Sequence, residues 1–519
     1  MTDDDFLKDK ALKTVAKVSG ITFAGMLSSQ IILYILRLVL ARALTPSEYG
    51  LLFLGLSFIG VLMTFVMLGL GGSIERYVPY YNARNDQKRV RGIILSTFKM
   101  TLPFSIITCI LVFLLSDQIA ASFFHEPSLS LILKIFSFTL PIFVVYKTFS
   151  CSTMAFKAVK YEMLSWHVGR SLATLFAVIS FWILGFGLIG STMGYAIGFA
   201  TSAVLSFIFF EKRIFPLLGS KLKTIPAKKE LLAFSIPLLL SGVLLDVMDK
   251  VDTFMLGILK TSADVGIYQT AWPTSRFVYV IPGALASIFI PVVSELLSRN
   301  KRSEIGKVYK TVNKWILYIN LPMLLVFIAY PNAVINILFG SEYLEAGMCL
   351  RILSITYFIN SMSILSSGMI NLFEKTKYHI INAGTSLVIS VFFNYMLIPV
   401  YGINGAALST LVTYSVYTFM IMAEAYFISG SSPFHNDMIK AMLAGIISIT
   451  GVFILTKTLF TELNVFVLTP MFIIFIAAYS LLVLVFRGLG EDDIMILKGI
   501  EEKTGIRIKP LRNLIKRFI

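Results

Sequence analysis

The sequence predicts an all-α polytopic membrane protein with about fourteen transmembrane helices. Of its 519 residues, 57% are hydrophobic and only 14% are charged. The mean hydropathy of +0.82 is too high for a soluble domain. Basic residues are concentrated in alternate loops, and an internal repeat relates two parts of the chain. Together these observations predict two six-helix lobes related by a parallel repeat, followed by two extra C-terminal helices.

Fourteen apolar stretches are long enough to cross a bilayer, which takes about 20 residues of α-helix. They lie at 18–40, 51–72, 92–115, 130–156, 163–186, 189–210, 231–257, 266–293, 312–333, 345–371, 378–400, 402–427, 438–459 and 465–487.

These spans divide the chain into six parts. We expect a cytoplasmic N-terminal segment at 1–17, a first lobe at 18–210, a cytoplasmic linker at 211–230, a second lobe at 231–427, two further helices within 438–487, and a basic amphipathic cytoplasmic tail at 488–519. Basic and apolar residues mix over 505–519, which favours binding to the inner leaflet. A disordered basic tail is the alternative.

The formal net charge of +16 indicates membrane topology rather than nucleic-acid binding. Lys and Arg are frequent before the first span and in the loops after spans two, six and eight, whereas the alternate loops contain only Arg42, Lys260 and Lys457. Loops rich in Lys and Arg stay in the cytoplasm. We therefore expect both termini in the cytoplasm of a plasma-membrane protein, with part of the positive charge facing anionic lipid.

The internal repeat rests on three segment pairs at an offset of about 216 residues, 45–51 with 261–267, 156–161 with 373–378, and 187–190 with 402–405. Each repeat would contain six spans, an even number, so both halves keep the same orientation in the membrane. Some transporters have such parallel repeats and bind substrate where the halves meet. The alternative is an old duplication that now only stabilises a helix bundle.

Span seven carries four charged residues, although a charge near the bilayer centre costs at least about 2.5–3.5 kcal/mol. Asp246, Asp249 and Lys250 lie at i, i+3 and i+4 and share one helix face, whereas Asp252 points elsewhere. Two interpretations stay open. The charges form either an internal ion-pair cluster that locks helices together or the wall of a polar cavity between the lobes.

Cations in the predicted spans outnumber these aspartates. Three lie near span ends, where they can snorkel to the interface: Lys99, Lys134 and Arg351. Three are favoured as cavity residues: Arg37, Lys147 and Arg276. Arg170 lies in the inner third of span five and is given no role. Surplus positive charge suits an anionic ligand such as a phosphate, which arginine binds through two parallel hydrogen bonds.

Arg37 and Arg276 are predicted to form a matched pair, one from each lobe, that receives this phosphate. Neither has an acidic residue at i±3 or i±4, so each needs a partner on another helix. A span-seven aspartate, with Asp252 at a similar depth, could be that partner in the empty state and give way to the ligand. A permanent ion pair is the alternative.

No residue pattern indicates catalysis, a metal site or a cofactor, and we predict that the chain is not an enzyme. The G-x-G-x-x-G sequence at 185–190 lacks the preceding strand that dinucleotide binding requires, and it fits a tight turn between spans five and six. The four histidines are scattered, and the three cysteines fall in apolar stretches.

Several segments resemble the polysaccharide-biosynthesis flippases, a branch of the multidrug/oligosaccharidyl-lipid/polysaccharide flippase superfamily. They are 44–50, 69–71, Glu75-Arg76-Tyr77 and Tyr81 in the first half, Asp252, 256–257, 265–268 and Ala271 in the second half, and 402–407 before span twelve. The resemblance covers nearly the whole chain. It implies two six-helix lobes around a central cavity and supplies no catalytic residues. Gly50, Gly266 and Gly405 would serve turns or helix starts.

The resemblance implies a flippase that moves a glycan linked to polyprenyl phosphate from the inner to the outer leaflet by alternating access. The expected partners are this lipid-linked glycan, membrane lipids and a coupling proton or sodium ion, which the span-seven aspartates could bind. A drug antiporter of the same superfamily is an alternative, but its organic-cation cargo suits the surplus of cations poorly. A peptidoglycan-precursor flippase would share the cationic cavity. A membrane glycan polymerase or ligase is the last alternative, and it would need a large external loop.

Overall fold

The computed structural model describes residues 25, 27–217, 219, 224–225, 228–375, 377–460, 463–490 and 493–494. The expected N-terminal segment 1–17, most of the tail and Lys221 and Lys223 of the linker lie outside these residues. The described chain is helical between turns, and no strand occurs within it. The prediction of an all-α polytopic membrane protein is confirmed.

The chain divides into two compact units, the first reaching to Gln269 and including Asn394–Ile403, the second comprising Thr270–Phe393 and the chain from Asn404 onward. Helices of the first unit are 27–43, Pro46–Val66, Leu70–Asn82, Gln87–Gln118, Leu129–Ser137, Thr139–Ala155, Val159–Glu162, Ser171–Ile183, Gly187–Phe209 and Lys228–Leu259, with wider π-helical turns at Ile119–Phe123, Met163–Arg170 and Phe210–Ile214.

Helix Ser262–Ser275 begins in the first unit and ends in the second. The second unit continues with 3₁₀ turns at Arg276–Tyr279 and Ser341–Tyr343 and with helices Val280–Ser298, Arg302–Ala329, Pro331–Phe339, Ala346–Ser361, Ser363–Leu372, Lys377–Ser429, Asp437–Leu459 and Val465–Val485. Residues 394–403 of helix Lys377–Ser429 belong to the first unit.

Within the described residues, ten helices are long and apolar enough to cross a membrane, or eleven if the bent pair Leu129–Ser137 and Thr139–Ala155 forms one span. The predicted count of fourteen is not confirmed. Helix Lys377–Ser429 covers two predicted spans and is kinked at Gly402, and the predicted eighth span is interrupted after Ser275.

The repeated segments 45–51 and 261–267 begin two helices in the same way. Thr45 and Glu48 form a capping box, in which each residue's side chain accepts a hydrogen bond from the other's backbone N–H at 3.3 and 3.0 Å. Thr261 and Asp264 make the same exchange at 3.3 and 3.1 Å. Each cap satisfies N–H groups that a helix start leaves without partners.

Helix ends repeat as well, at residues with a left-handed backbone. Positive φ values occur at Asn85 and Asn300, at His125 and Gly340, at Lys157 and Glu374, and at Gly187 and Gly402, each pair about 216 residues apart. Around the third pair, the amides of Ala158 and Lys375 both donate to the carbonyl five residues earlier at 3.0 Å, as in a Schellman motif. The internal repeat predicted from the sequence is therefore present in the backbone.

The boundary between the two compact units differs from the predicted boundary between the lobes. Helix Lys228–Leu259, expected in the second lobe, belongs to the first unit. It packs against helix Leu70–Asn82, where the Ser73 and Ser235 hydroxyls lie 2.6 Å apart and a Cβ atom at Gly69 would lie 2.3 Å from the Ser235 carbonyl oxygen. The compact units are thus not the two repeats, and the lobe boundaries stay a prediction.

In the second unit, the two extra C-terminal helices pack on helix Arg302–Ala329. Lys314 on this helix is only 2% exposed and pairs with the fully buried Asp493 at 2.5 Å. Trp315 Nε1 donates to the same carboxylate at 2.9 Å, and the Tyr318 hydroxyl donates to the Gly488 carbonyl at 2.7 Å. These contacts hold the chain that follows helix Val465–Val485 onto the helix core.

Candidate functional site

Arg37, on helix 27–43, is half-buried and has uncharged partners. Its Nη1 donates to Gln269 Oε1 at 3.3 Å, and its guanidinium carbon lies 4.1 Å from the centre of the Phe53 ring. Stacking on an aromatic face suits the planar guanidinium group. Within the described residues no carboxylate pairs with Arg37. These contacts therefore orient the guanidinium without cancelling its charge.

Arg170 makes a second contact of this kind in the first unit. It ends the π-helical turn Met163–Arg170, and its guanidinium carbon lies 4.0 Å from the centre of the Trp166 ring. Trp166 in turn stacks on Tyr146, with ring centres 4.2 Å apart and planes 12° apart. Arg170 Nε is buried without a hydrogen-bond partner, which is costly for a charged group.

Both arginines belong to the surroundings of the buried Tyr195 side chain. The Tyr195 ring lies edge-on to Phe53, the ring on which Arg37 stacks, with 6.5 Å between centres. The geometry therefore groups Arg37 with Arg170, for which the sequence suggested no role. The missing signal was the π-helical turn, which changes the face on which Trp166 and Arg170 lie and has no clear sequence signature.

Lys147, the second cation assigned to the cavity, has acidic neighbours. It is half-buried on helix Thr139–Ala155 and interacts electrostatically with Glu162. Glu162 also accepts a hydrogen bond from the Tyr146 hydroxyl at 3.3 Å and lies 4.0 Å from His167 Nε2. Lys147 thus has a carboxylate in its surroundings, unlike Arg37.

The charged face of helix Lys228–Leu259 contacts helix Pro46–Val66. Asp246 accepts a hydrogen bond from the Thr64 hydroxyl, and Lys250 Nζ lies 3.9 Å from Asp246 Oδ1. A Cβ atom at Gly60 would lie 2.9 Å from Lys250 Nζ, so the small residue leaves room for the ammonium group. Asp249, between the members of this pair, is half-buried.

Asp252 points away from that face and has two neutral donors. It is 5% exposed and accepts hydrogen bonds from the Tyr268 hydroxyl at 3.1 Å and from Asn394 Nδ2 at 2.7 Å. The expected ion pair between Arg37 and a span-seven aspartate does not occur in the described chain. Its place is taken by Gln269, which follows Tyr268 and is held by a 2.9 Å bond from its Nε2 to the Thr253 hydroxyl.

Arg276, in the second unit, opens the 3₁₀ turn Arg276–Tyr279. Its guanidinium carbon lies 4.6 Å from the Trp272 ring centre and 5.8 Å from that of Tyr357. Arg276 thus lies against aromatic rings of its own unit, as Arg37 and Arg170 do in theirs. The predicted pairing of Arg37 with Arg276 stays a prediction.

Among the described residues, no three His, Cys, Asp or Glu side chains are grouped closely enough to hold a metal ion. The arrangement is one of positive guanidinium groups on aromatic faces, with carboxylates on neighbouring helices. Such groups can bind an anion by hydrogen bonds and charge.

The profile of a family described as "Polysaccharide biosynthesis protein" matches residues 39–348. An uncharacterized membrane protein of Methanocaldococcus jannaschii is 23% identical over 91% of this chain and 95% of its own length. A putative O-antigen transporter of Shigella flexneri is 22% identical over 71% of this chain and 88% of its own. Among solved structures, the lipid II flippase MurJ in an inward closed conformation superposes with a TM-score of 0.70 at 19% identity, covering 91% of this chain and 99% of MurJ.

Proposed function

The chain belongs to the polysaccharide biosynthesis protein family, within the multidrug/oligosaccharidyl-lipid/polysaccharide flippase superfamily, and we propose that it flips a glycan linked to polyprenyl phosphate across the membrane. The site observation that carries this proposal is the pair Arg37 and Arg170, two aromatic-stacked arginines around Tyr195. Family membership supports a glycan cargo, and the arginines support an anionic attachment point on it.

Arg37 and Arg170 would bind the phosphate groups of the cargo. A guanidinium group recognises phosphate through parallel hydrogen bonds, and stacking on Phe53 or Trp166 fixes its plane. Arg37 donates a hydrogen bond to the uncharged side chain of Gln269 at 3.3 Å. A phosphate oxygen makes a stronger, charge-assisted bond and would displace that contact.

Arg276 of the second unit would also bind the phosphate, because its guanidinium group likewise lies against aromatic rings. Lys147, with Glu162 beside it, is a weaker candidate for phosphate binding.

Coupling to a proton or sodium ion is a further part of the proposal. Asp246, Asp249 and Asp252 are the carboxylates of helix Lys228–Leu259, and intramembrane carboxylates commonly serve ion pathways. The 3.9 Å separation of Asp246 from Lys250 also fits an ion pair that only holds the helix in place. Movement of the cargo from the inner to the outer leaflet of the plasma membrane, by alternating access, completes the proposed function.

A drug antiporter is a weaker candidate, although multidrug transporters of the superfamily share the fold. One of them, in an inward-facing conformation, superposes with a TM-score of 0.66. The uncompensated charge of Arg37 would repel an organic cation. A peptidoglycan-precursor flippase is favoured by the fold likeness to MurJ and would use the same arginines. A membrane glycan polymerase or ligase has less support, because relatives of this chain are named as a probable flippase and a putative transporter.

The test uses proteoliposomes containing the full chain and polyprenyl-linked glycans extracted from the source organism. We expect Arg37→Gln and Arg170→Gln to reduce translocation by about tenfold or more, the factor for one lost charged hydrogen bond. Arg37→Lys should have an intermediate translocation rate, because lysine keeps the positive charge but cannot make the two parallel hydrogen bonds of a guanidinium group. Arg351→Gln is the matched control, an exposed arginine in the second turn of helix Ala346–Ser361 that donates to the Ile328 carbonyl and lines no part of the proposed site. Normal translocation by both Gln variants at normal protein level would exclude the phosphate role.

A further inference from the structure

A cleft in the first unit lies apart from the arginine pair. It has a volume of about 640 Å³, in the range of small-molecule sites. Residues at or beside three connections between helices line it. Glu48 belongs to the first, Asp117 and Lys134 flank the second, and Phe186 belongs to the third. Under the predicted topology these connections all lie on the external side of the membrane.

The polar wall of the cleft offers both hydrogen-bond donors and acceptors. Lys134 Nζ lies 2.9 and 3.0 Å from the two carboxylate oxygens of Asp117, and the Ser130 hydroxyl also donates to this carboxylate. The Asp117 side chain is 70% exposed, so its remaining lone pairs face the cleft or solvent. An ammonium group has three donors, of which this carboxylate takes two.

The turn containing the G-x-G-x-x-G sequence also lines the cleft. Gly185 and Gly187 have φ values of +81° and +48°, and a Cβ atom at either position would meet nothing within 4 Å. The turn therefore leaves open space around Phe186, whose ring is 52% exposed. The cleft is thus lined both by an exposed aromatic ring, Phe186, and by the Asp117–Lys134 pair, which offers hydrogen-bond donors and acceptors.

The charges of the cleft decide which ligand it suits. Glu48 and Asp117 are two carboxylates against one ammonium group, Lys134, so a phosphate or other anion would be repelled. A cation would be repelled by Lys134, which already pairs with the Asp117 carboxylate. A neutral polyhydroxylated ring matches best, because hydroxyls both donate and accept and the carbon face of a sugar packs on an aromatic ring.

We propose that this cleft binds a neutral saccharide unit of the glycan on the external side of the membrane. That the saccharide belongs to the transported glycan rests on the proposed function. Binding of a saccharide in the cleft can be tested without measuring transport. The cleft would hold the sugar portion at a place distinct from the arginines that hold the phosphate.

The experiment measures protection of a thiol by sugar. Ile189→Cys places a thiol in the cleft beside Phe186 and keeps the aromatic ring, and Tyr401→Cys places one at the equivalent turn of the second repeat. The two native side chains are similarly exposed, at 43% and 56%. The three native cysteines are buried and provide a low background. The full chain in proteoliposomes is labelled with a membrane-impermeant maleimide. The probe is the total glycan released by mild acid from the organism's polyprenyl-linked pool.

We expect the glycan pool to slow labelling of the Ile189→Cys protein and to leave the Tyr401→Cys protein unchanged. Adding Asp117→Asn to Ile189→Cys should weaken protection by about tenfold or more, as expected for a lost hydrogen bond to a charged group. Labelling without glycan shows whether this double variant is folded. A complementary variant, Lys134→Met, should have the same effect.

Equal labelling rates of the Ile189→Cys protein with and without the glycan pool would overturn the cleft proposal. Equal protection at both turns would overturn it too, because the effect would then be unspecific. A wild-type protein that fails to translocate the lipid-linked pool would instead contradict the proposed function, a result that the labelling rates do not affect.

Discussion

Gly50 and Gly266 face each other where two capped helices begin. A Cβ atom at Gly50 would lie 1.8 Å from the Ser262 carbonyl oxygen, and one at Gly266 would lie 2.0 Å from the Pro46 carbonyl oxygen. The Ser47 and Ser262 hydroxyls lie 2.8 Å apart beside this crossing. The sequence suggested helix-start roles for both glycines, and close backbone packing is the additional reason for them.

Gly50→Ala should destabilise the protein by about 1–3 kcal/mol, because the methyl group has no room and must push the two helices apart. Gly266→Ala should have a similar effect. The double variant should lose less than the sum, since both substitutions open the same crossing. Thermal unfolding of the detergent-purified protein measures these changes. Gly384→Ala is the matched control, a helical glycine whose added Cβ meets nothing within 4 Å; equal losses in all three proteins would contradict this account.

Lys314 and Asp493 form a buried pair, and removing one partner should be more harmful than removing both. Lys314→Met alone leaves an unpaired buried carboxylate and should cost about 3–5 kcal/mol. Lys314→Met with Asp493→Leu should recover most of this stability. Thermal unfolding of the single and double variants is the measurement. A double variant no more stable than either single variant would show that the pair is not the main interaction.

Substitutions of Arg276 distinguish a role in phosphate binding from a purely structural role. In cells that depend on this chain for glycan export, Arg276→Gln and Arg276→Glu should lower export at normal protein level, and Arg276→Lys should retain part of it, because it keeps a positive charge. Export and membrane protein level are measured together. Reduced protein level alone would indicate that the stacking on Trp272 and Tyr357 is structural.

The topology prediction is tested by reporter fusions at Lys221 and after Ile519. Both should report a cytoplasmic location, because the flanking segments are rich in Lys and Arg. A fusion in the 185–187 turn should report the external side. A cytoplasmic signal there would remove the external placement of the cleft as well as the predicted topology.

Much of the fold follows from sequence patterns with direct physical causes. Apolar length predicts helices, and the match of 45–51 with 261–267 predicts a repeated connection, which appears as two helices with the same N-terminal cap. The match of 156–161 with 373–378 predicts a repeated helix end, which appears as the left-handed backbone of Lys157 and Glu374. These features depend on residues close together in the chain, so a single sequence contains the information.

The candidate site depends on contacts that local patterns do not encode. Arg170 reaches Trp166 through a π-helical turn, and Arg37 reaches Gln269 from 232 residues away. Nothing in the sequence near Lys314 indicates a partner as distant as Asp493, since a lysine in an apolar stretch equally predicts snorkelling. Long-range pairing of this kind is decided by packing, for which one sequence provides no pattern.

The repeated left-handed turns bear on how the chain arose. Lys157 and Glu374 differ in charge, yet both keep a backbone conformation that is unfavourable for their residue type. Backbone torsion has therefore been retained where side-chain identity was lost. Under the predicted topology both halves enter the membrane in the same direction, so an ancestral half-length protein could have assembled as a homodimer. Joining two such genes end to end would then have required no inversion of either copy.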